Sequence, residues 1–247
     1  MRALGQPAPF SLPKATVLTP VYEDDHLLVL SKPSGLLCVP GRGPDKQDCL
    51  SSRARLQWPD SLIVHRLDQA TSGLVVMARS PEVQRALSAL FADRQVDKRY
   101  MAVVAGSPQR AKAPEHIDTR PQDGHCWSLI DLPLIADWER RPLQRVDYAI
   151  GKPSQTWWRA VTETETAALP ALATGGCSRL WLAPVTGRSH QLRLHMRAIG
   201  HPILGDTLYA PPDVQALAPR LLLQAREIRF VHPVTQQPLD CRLPADF

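Results

Sequence analysis

The nonapeptide HRLDQATSG, residues 65–73, sets a histidine, an arginine and an aspartate close together in a stretch that no core strand could bury. It lies between two apolar runs, LIV at 62–64 and LVVMA at 74–78, each of the kind that a buried strand shows. The string therefore reads as a polar loop held between two core strands, a place where function concentrates. A carboxylate presented there, such as Asp68, can act as a nucleophile or stabilise a developing sugar cation, as carboxylates do in glycoside chemistry. Taken alone, an Asp followed by Thr-Ser-Gly more often caps its own backbone.

Two further segments carry candidate groups. GRSHQLRLHM, residues 187–196, follows a turn made by Pro184, Thr186 and Gly187, and opens a predicted helix over 189–199 closed by Gly200. Leu192, Met196 and Ile199 would face its core, leaving Arg188, His190, Gln191 and Arg193 as polar candidates. KRYMAVV, residues 98–104, overlaps a predicted strand over 99–105, with Tyr100 directly after two cations. Other enzymes with partly similar signatures are excluded. A zinc deaminase needs His-x-Glu and Pro-Cys-x-x-Cys, a kinase needs its glycine-rich and DFG segments, and a serine hydrolase wants Gly-x-Ser-x-Gly; none occurs.

The elements that must position these groups follow from pattern. HLLVL at 26–30 is a short strand stopped by Lys32, Pro33, Ser34 and Gly35. Ser80 can cap a helix with Pro81 at its first position and Glu82 near the positive end of its dipole, and Val83, Leu87, Leu90 and Phe91 then share one face. A strand at 180–183 leads to the 184–187 turn, and 228–232 with 239–243 form a terminal antiparallel pair around the 233–238 turn. Residues 1–18 read as an extended arm, and 107–128 and 163–177 as irregular surface insertions. Strands and helices mix without regular βαβ alternation, so the class is α+β, with one domain over 19–247.

The chain has 247 residues, 44% of them hydrophobic, enough for a full core. A net charge of +5 leans weakly towards a polyanionic partner. Five dispersed cysteines, Cys38, Cys49, Cys126, Cys177 and Cys241, form no metal or redox pairs and read as free thiols in a reducing compartment. With no signal-peptide core and no run of apolar residues long enough to span a bilayer, a cytoplasmic protein without membrane partners is expected.

HRLD, two variable residues and TSG together resemble the signature of the RluA family of pseudouridine synthases, complete here at His65, Arg66, Leu67, Asp68, Thr71, Ser72 and Gly73. YEDDHLLVLSKPSGL (22–36), KRYMAVV (98–104), GRSHQLRLHM (187–196) and GHPILGD (200–206) are similar to the same family in the same order. The resemblance implies the family's α+β catalytic fold, a mixed and mostly antiparallel sheet with a central cleft, and isomerisation of uridine in RNA without cofactor or metal. It implies Asp68 as catalytic nucleophile, attacking the sugar or acting on the base, Arg193 as its basic partner, Leu192 as an apolar wall beside the base and Tyr100 stacked on the base. It also implies that Arg66 fills or props the gap left by the flipped nucleotide, with Arg188, His190 and Gln191 contacting RNA backbone or positioning the loop. Arg193→Met is on this reading expected to lower turnover more than stability.

Within that family the likeness is greatest to members acting on the anticodon stem-loop of some tRNAs and a hairpin of 23S ribosomal RNA, through VPGRG (39–43), DLPLI (131–135), LLLQA (221–225) and PADF (244–247). Only about twenty residues precede the domain, so no accessory RNA-binding domain is expected, and the enzyme is expected to be a monomer. The alternative is a non-catalytic RNA-binding protein that kept the fold; the presence of Asp68, Tyr100 and Arg193 weighs against it.

Overall fold

A computed structural model describes residues 17–109, 121, 123–166 and 176–247. Its elements, in chain order, are β1 (Pro20–Glu23), β2 (Leu27–Lys32), α1 (Leu50–Gln57), β3 (Leu62–Ile63), β4 (Ser72–Ala78), α2 (Pro81–Ala92), β5 (Asp97–Ala105), β6 (Ser128–Asp131), β7 (Leu134–Ala136) and β8 (Gln144–Val146). They continue with β9 (Gln155–Ala160), α3 (Glu163–Thr166), β10 (Cys177–Pro184), α4 (Gln191–Ala198), α5 (Pro212–Gln215), β11 (Leu223–Val231) and β12 (Pro238–Arg242). The class is α+β.

The main sheet runs β1-β2-β4-β11-β5-β10-β9-β6, with β3 added to β4 and β12 to β11; β7 and β8 form a separate hairpin. Every pairing is antiparallel except β4 with β11, where Ser72 lies opposite Gln224 and Gly73 opposite Ala225. That join brings together strands about 150 residues apart in sequence, and the glycine of the loop motif makes it possible. Gly73 has φ +117, and a Cβ there would collide with the backbone nitrogen and carbonyl of Ala225. Only a residue without a side chain lets the two strands close at this point.

Burial follows the pattern of the chain. All seven residues of β4 are buried, as expected of a strand covered on both faces. On one face, α2 buries Val83 and Leu87 among Leu27, Val29, Val76 and Ile228, and its N-terminus is closed by Ser80 Oγ accepting the Val83 N–H at 3.3 Å. On the other, α1 and Leu67 pack with Leu28, Leu30, Val75 and Met77, and α4 packs Leu192 and Met196 against β5 and β10.

The structure corrects three sequence expectations. α4 begins at Gln191 rather than at 189, because His190 takes a left-handed conformation (φ 55) and residues before it form a turn. Residues 107–128 do not stay at the surface throughout: Trp127 is fully buried, and Asp123 holds both Arg99 (2.8 Å) and the Trp127 indole N–H (3.0 Å). In the 163–177 segment Glu165 forms a fork with buried Arg159, both bonds 2.7 Å, which fastens its first turn to the sheet. The rest of those segments, residues 110–120, 122 and 167–175, and residues 1–16 of the expected arm lie outside the described residues. Among the described residues no helix is long and apolar enough to cross a membrane.

Candidate active site

The 65–73 loop leaves β3 and enters β4, and it is fixed mainly by the turn after β2. Lys32, fully buried, donates to the carbonyls of Pro33 (2.9 Å), Leu36 (2.8 Å) and Gln69 (3.0 Å). Burial brings its pKa down to about 8, against the opposing pull of Cys38 and Asp68. Ser34 Oγ donates to Ala70 O at 2.7 Å, and the Leu67 N–H donates to Cys38 Sγ at 3.2 Å. His65 Nε2 accepts the Val76 N–H at 3.0 Å while its ring stacks on Phe91 with centroids 4.4 Å apart. The catalytic-loop candidate is thus clamped on both sides of Asp68.

The Asp68 carboxylate itself is not clamped. Thr71 N–H bonds to its backbone carbonyl at 3.1 Å, and among the described residues no group donates a hydrogen bond to its carboxylate. The local capping role is therefore not what its side chain does here. The carboxylate, 28% exposed, sits in a cleft of about 1160 Å³ and also in a small adjoining recess of about 100 Å³. The recess is lined by Tyr100, Leu192, Arg66 and Arg193 as well.

Arg193 reaches Asp68, with Nη1 3.7 Å from Oδ2, but its strong bonds go elsewhere. Its Nε donates to Asp206 Oδ2 at 2.9 Å and its Nη2 to Asp206 Oδ1, a two-pronged pair in which Asp206 is wholly buried. Asp206 also accepts the N–H groups of Leu208 (2.9 Å) and Tyr209 (3.1 Å). Burial alone would discourage the Arg193 charge; the bonds to Asp206 and the charges of Asp206 and Asp68 outweigh it and raise its pKa above that of an ordinary arginine. One guanidinium thus serves two carboxylates, one locked and one available.

The remaining sequence candidates separate by exposure. Arg66 and Arg188 are exposed on the cleft lining. His190 is half-buried, with Nδ1 2.7 Å from the Tyr209 hydroxyl, and burial lowers its pKa. Gln191 is buried, and both ends of its amide are occupied. It accepts from Thr186 (2.7 Å) and the Arg188 N–H (3.0 Å), and donates to Gln155 O and Thr156 Oγ1 (both 2.9 Å). This geometry leaves Gln191 no group for RNA and makes it a brace of the 186–190 turn. Tyr100 packs against the apolar groups on both sides of the β4–β11 join, and burial with the nearby Asp68 charge raises its hydroxyl pKa.

Sequence reasoning gave no role to Lys32, Lys98, Arg94, Asp206, Tyr209 or Arg220. The signals for Lys32 and Asp206 were present in KPSG and at the end of GHPILGD; the others depend on contacts that join distant segments. Together they define the electrostatics: the large cleft is lined by Arg66, Arg94, Lys98, Arg188, Arg193 and Arg220, and among the described residues its only acidic one is Asp68. Such a surface suits a polyanion drawn around a single carboxylate.

Two histidines that stay neutral in the fold make it acid-sensitive. Burial depresses His65 to about 3, with help from Lys98, and His195 to about 4. Below the ordinary histidine pKa of about 6.5 the unfolded chain takes up protons that the folded chain refuses, so stability falls as pH drops towards those values. Thermal melting at pH 7 and at pH 5 is expected to show a lower midpoint at pH 5, and a smaller drop for His195→Gln; equal midpoints would contradict it.

The fold and this cleft define a class. The human RNA pseudouridylate synthase domain containing 1 protein matches with a TM-score of 0.69 over 95% of this chain and 86% of its own, at 24% identity, and the human domain containing 4 protein with 0.64 over 92% and 88%, at 20%. These likenesses establish the pseudouridine synthase fold.

Sequence comparison carries the assignment to family. Residues 26–198 match the model of the RNA pseudouridylate synthase family. The dual-specificity RNA pseudouridine synthase RluA of Escherichia coli K12 is 42% identical over 238 residues, covering 96% of this chain and 98% of that protein. Its Haemophilus influenzae counterpart is 41% identical over 239 residues with the same coverage. The chain belongs to the RluA family of RNA pseudouridine synthases, and it is an RNA-modifying isomerase.

Proposed function

We propose that the enzyme isomerises uridine in two kinds of RNA hairpin, the anticodon stem-loop of some tRNAs and a hairpin of similar sequence in 23S ribosomal RNA, using Asp68 as its catalytic carboxylate. The observation that carries the site is the Asp68 carboxylate, to which no described residue donates a hydrogen bond and which is the sole acid among the described residues lining a cationic cleft. The substrate pair is supported by near full-length similarity to relatives named dual-specificity synthases. Residues 19–247 are read as one catalytic domain, a reading supported by the ten-stranded sheet that joins β1 to β12 and leaves only the β7–β8 hairpin outside it.

The reaction breaks the bond from uracil N1 to the sugar C1′, rotates the base and joins C5 to the same C1′. The C5 hydrogen leaves, N1 ends protonated, and no electrons or atoms are exchanged with a co-substrate. Asp68 attacks or stabilises the electron-poor centre that appears when the first bond breaks. Arg193 places a positive charge 3.7 Å from it, while Asp206 takes the guanidinium's two strongest bonds and so leaves Asp68 unclamped. Tyr100 and Leu192 form the walls of the recess that receives the base. A stacked base is out of reach, so the uridine must be flipped out. Exposed Arg66, whose planar cation can stack on bases and touch phosphate, props the vacated position.

Hairpin loops suit an enzyme reading RNA with this cleft alone, because their bases can be splayed out and their edges read, unlike those of an A-form duplex. Tyr100→Leu is expected to lose correct seating of the base as well as turnover, since base stacking on an aromatic ring is worth ~1–3 kcal/mol. Single-turnover rates and RNA affinity measured side by side check this; near-normal values for both would return Tyr100 to a purely structural role. The substrate assignment is tested by mapping pseudouridines in tRNA and 23S RNA from a strain lacking the gene. Loss at an anticodon-stem-loop position and at one 23S hairpin is expected; persistence of both sites overturns the assignment.

A further inference from the structure

We propose that the tip of the β7–β8 hairpin is a stacking platform for an unpaired base of the RNA, next to the uridine that enters the cleft. Of six tryptophans, five are at most 8% exposed, whereas Trp138 is 69% exposed. The Arg141 guanidinium lies 3.4 Å from its ring centroid, covering one face and leaving the other to solvent. Tyr148 (79%) and Ile150 (65%) are also exposed, but they follow the far end of β8 and are not part of the tip.

This tip is ordered rather than loose. Asp137 accepts the Arg140 N–H (3.3 Å) and its Nε (2.8 Å), and the Asp137 N–H donates to Leu143 O at 2.9 Å. It is also continuous with the active site. Pro142, adjacent to Arg141, lines the large cleft, and the Gln144 N–H donates at 2.8 Å to the Tyr209 hydroxyl that meets His190. The hairpin tip that carries Trp138 therefore borders, through Pro142, the cleft that holds Asp68.

Charge selects the part of the RNA that fits. Arg140, Arg141 and Arg145 are balanced by Asp137, Glu139 and Asp147, and Arg140 and Arg145 are paired with Asp137 (2.7 Å) and Asp147 (2.9 Å). Without net positive charge the tip is not a phosphate grip, and what it offers is an aromatic face. A base splayed from a hairpin loop presents the matching face, and one stacked on the indole would complete an Arg141–Trp138–base sandwich. The proposal rests on the cleft receiving the target uridine, but not on which RNA supplies it.

Because the other tryptophans are buried, Trp138 is a built-in reporter. In the full-length protein its emission should be quenched, and its accessibility to acrylamide lost, on saturation with a short uridine-rich single-stranded RNA, binding being followed independently by anisotropy. Trp138→Leu should raise KM for a converted hairpin by roughly fivefold or more with kcat unchanged, and Trp138→Phe should largely restore it. Unchanged emission at saturation, an unchanged KM in Trp138→Leu, or equal quenching by a blunt RNA duplex would overturn the proposal. So would emission that varies with protein concentration in the absence of RNA, which would assign the indole to a contact between copies. If the unaltered enzyme fails to convert anticodon-stem-loop and 23S transcripts, the substrate assignment fails, while the single-strand titration still reads the platform.

Discussion

Asp68→Asn is expected to abolish pseudouridine formation while leaving RNA affinity within a few-fold of that of the unaltered enzyme. The amide matches the carboxylate in shape but is a poor nucleophile and carries no charge to balance a developing cation. Little else depends on Asp68. None of the described residues donates a hydrogen bond to its carboxylate, and Arg193 keeps its two bonds to Asp206 without it. The melting temperature should therefore hold. Any change in affinity should be towards tighter binding, because the substitution removes the one negative charge that the described residues place in the cleft. Product formation and filter binding measured on the same preparation check both halves, and measurable product with contamination excluded would defeat the assignment.

Arg193→Met is expected to cost both turnover and stability, which revises the expectation from sequence that turnover would suffer more. Asp206 is fully buried and Arg193 is 4% exposed at its side chain, so removing the cation strands a carboxylate in the interior. Breaking a buried pair in this way costs about 3–5 kcal/mol. The double variant Arg193→Met with Asp206→Asn removes the stranded charge, and its amide oxygen can still accept the Leu208 and Tyr209 N–H groups. Denaturant unfolding should show most of the lost stability recovered in the double variant, with turnover still absent. Recovery of turnover alongside stability would mean that Arg193 serves only the fold.

The local parts of this account were legible in the sequence because local rules decide them. β2, β4 and α2 announce themselves by apolar runs and by Ser80-Pro81-Glu82, and HRLDQATSG could only be a loop. α1 escaped because its sequence LSSRARLQ buries just Leu50, Ser51 and Ala54, too few to set a helical period. The short strands β7 and β8 give no periodic signal at three residues each. The parallel pairing of Ser72 with Gln224 is a tertiary fact that no window of sequence contains. Long range also explains the site. The alignment of Arg193 with a basic partner named one carboxylate, but the other arises where the 200–206 segment folds back on α4, and the cationic lining gathers Arg94 and Arg220 from distant parts of the chain.

The central claim is that this cleft isomerises uridine in RNA by itself, and release of tritium from RNA carrying [5-³H]uridine measures it most directly, since the C5 hydrogen must leave whenever C5 joins the sugar. Purified protein, incubated with anticodon-stem-loop and 23S hairpin transcripts in the presence of chelator and without nucleotide, is predicted to release tritium in step with pseudouridine recovered from the digested RNA. Binding of those transcripts with no tritium released would contradict the account and leave an RNA-binding protein that kept the fold without the chemistry.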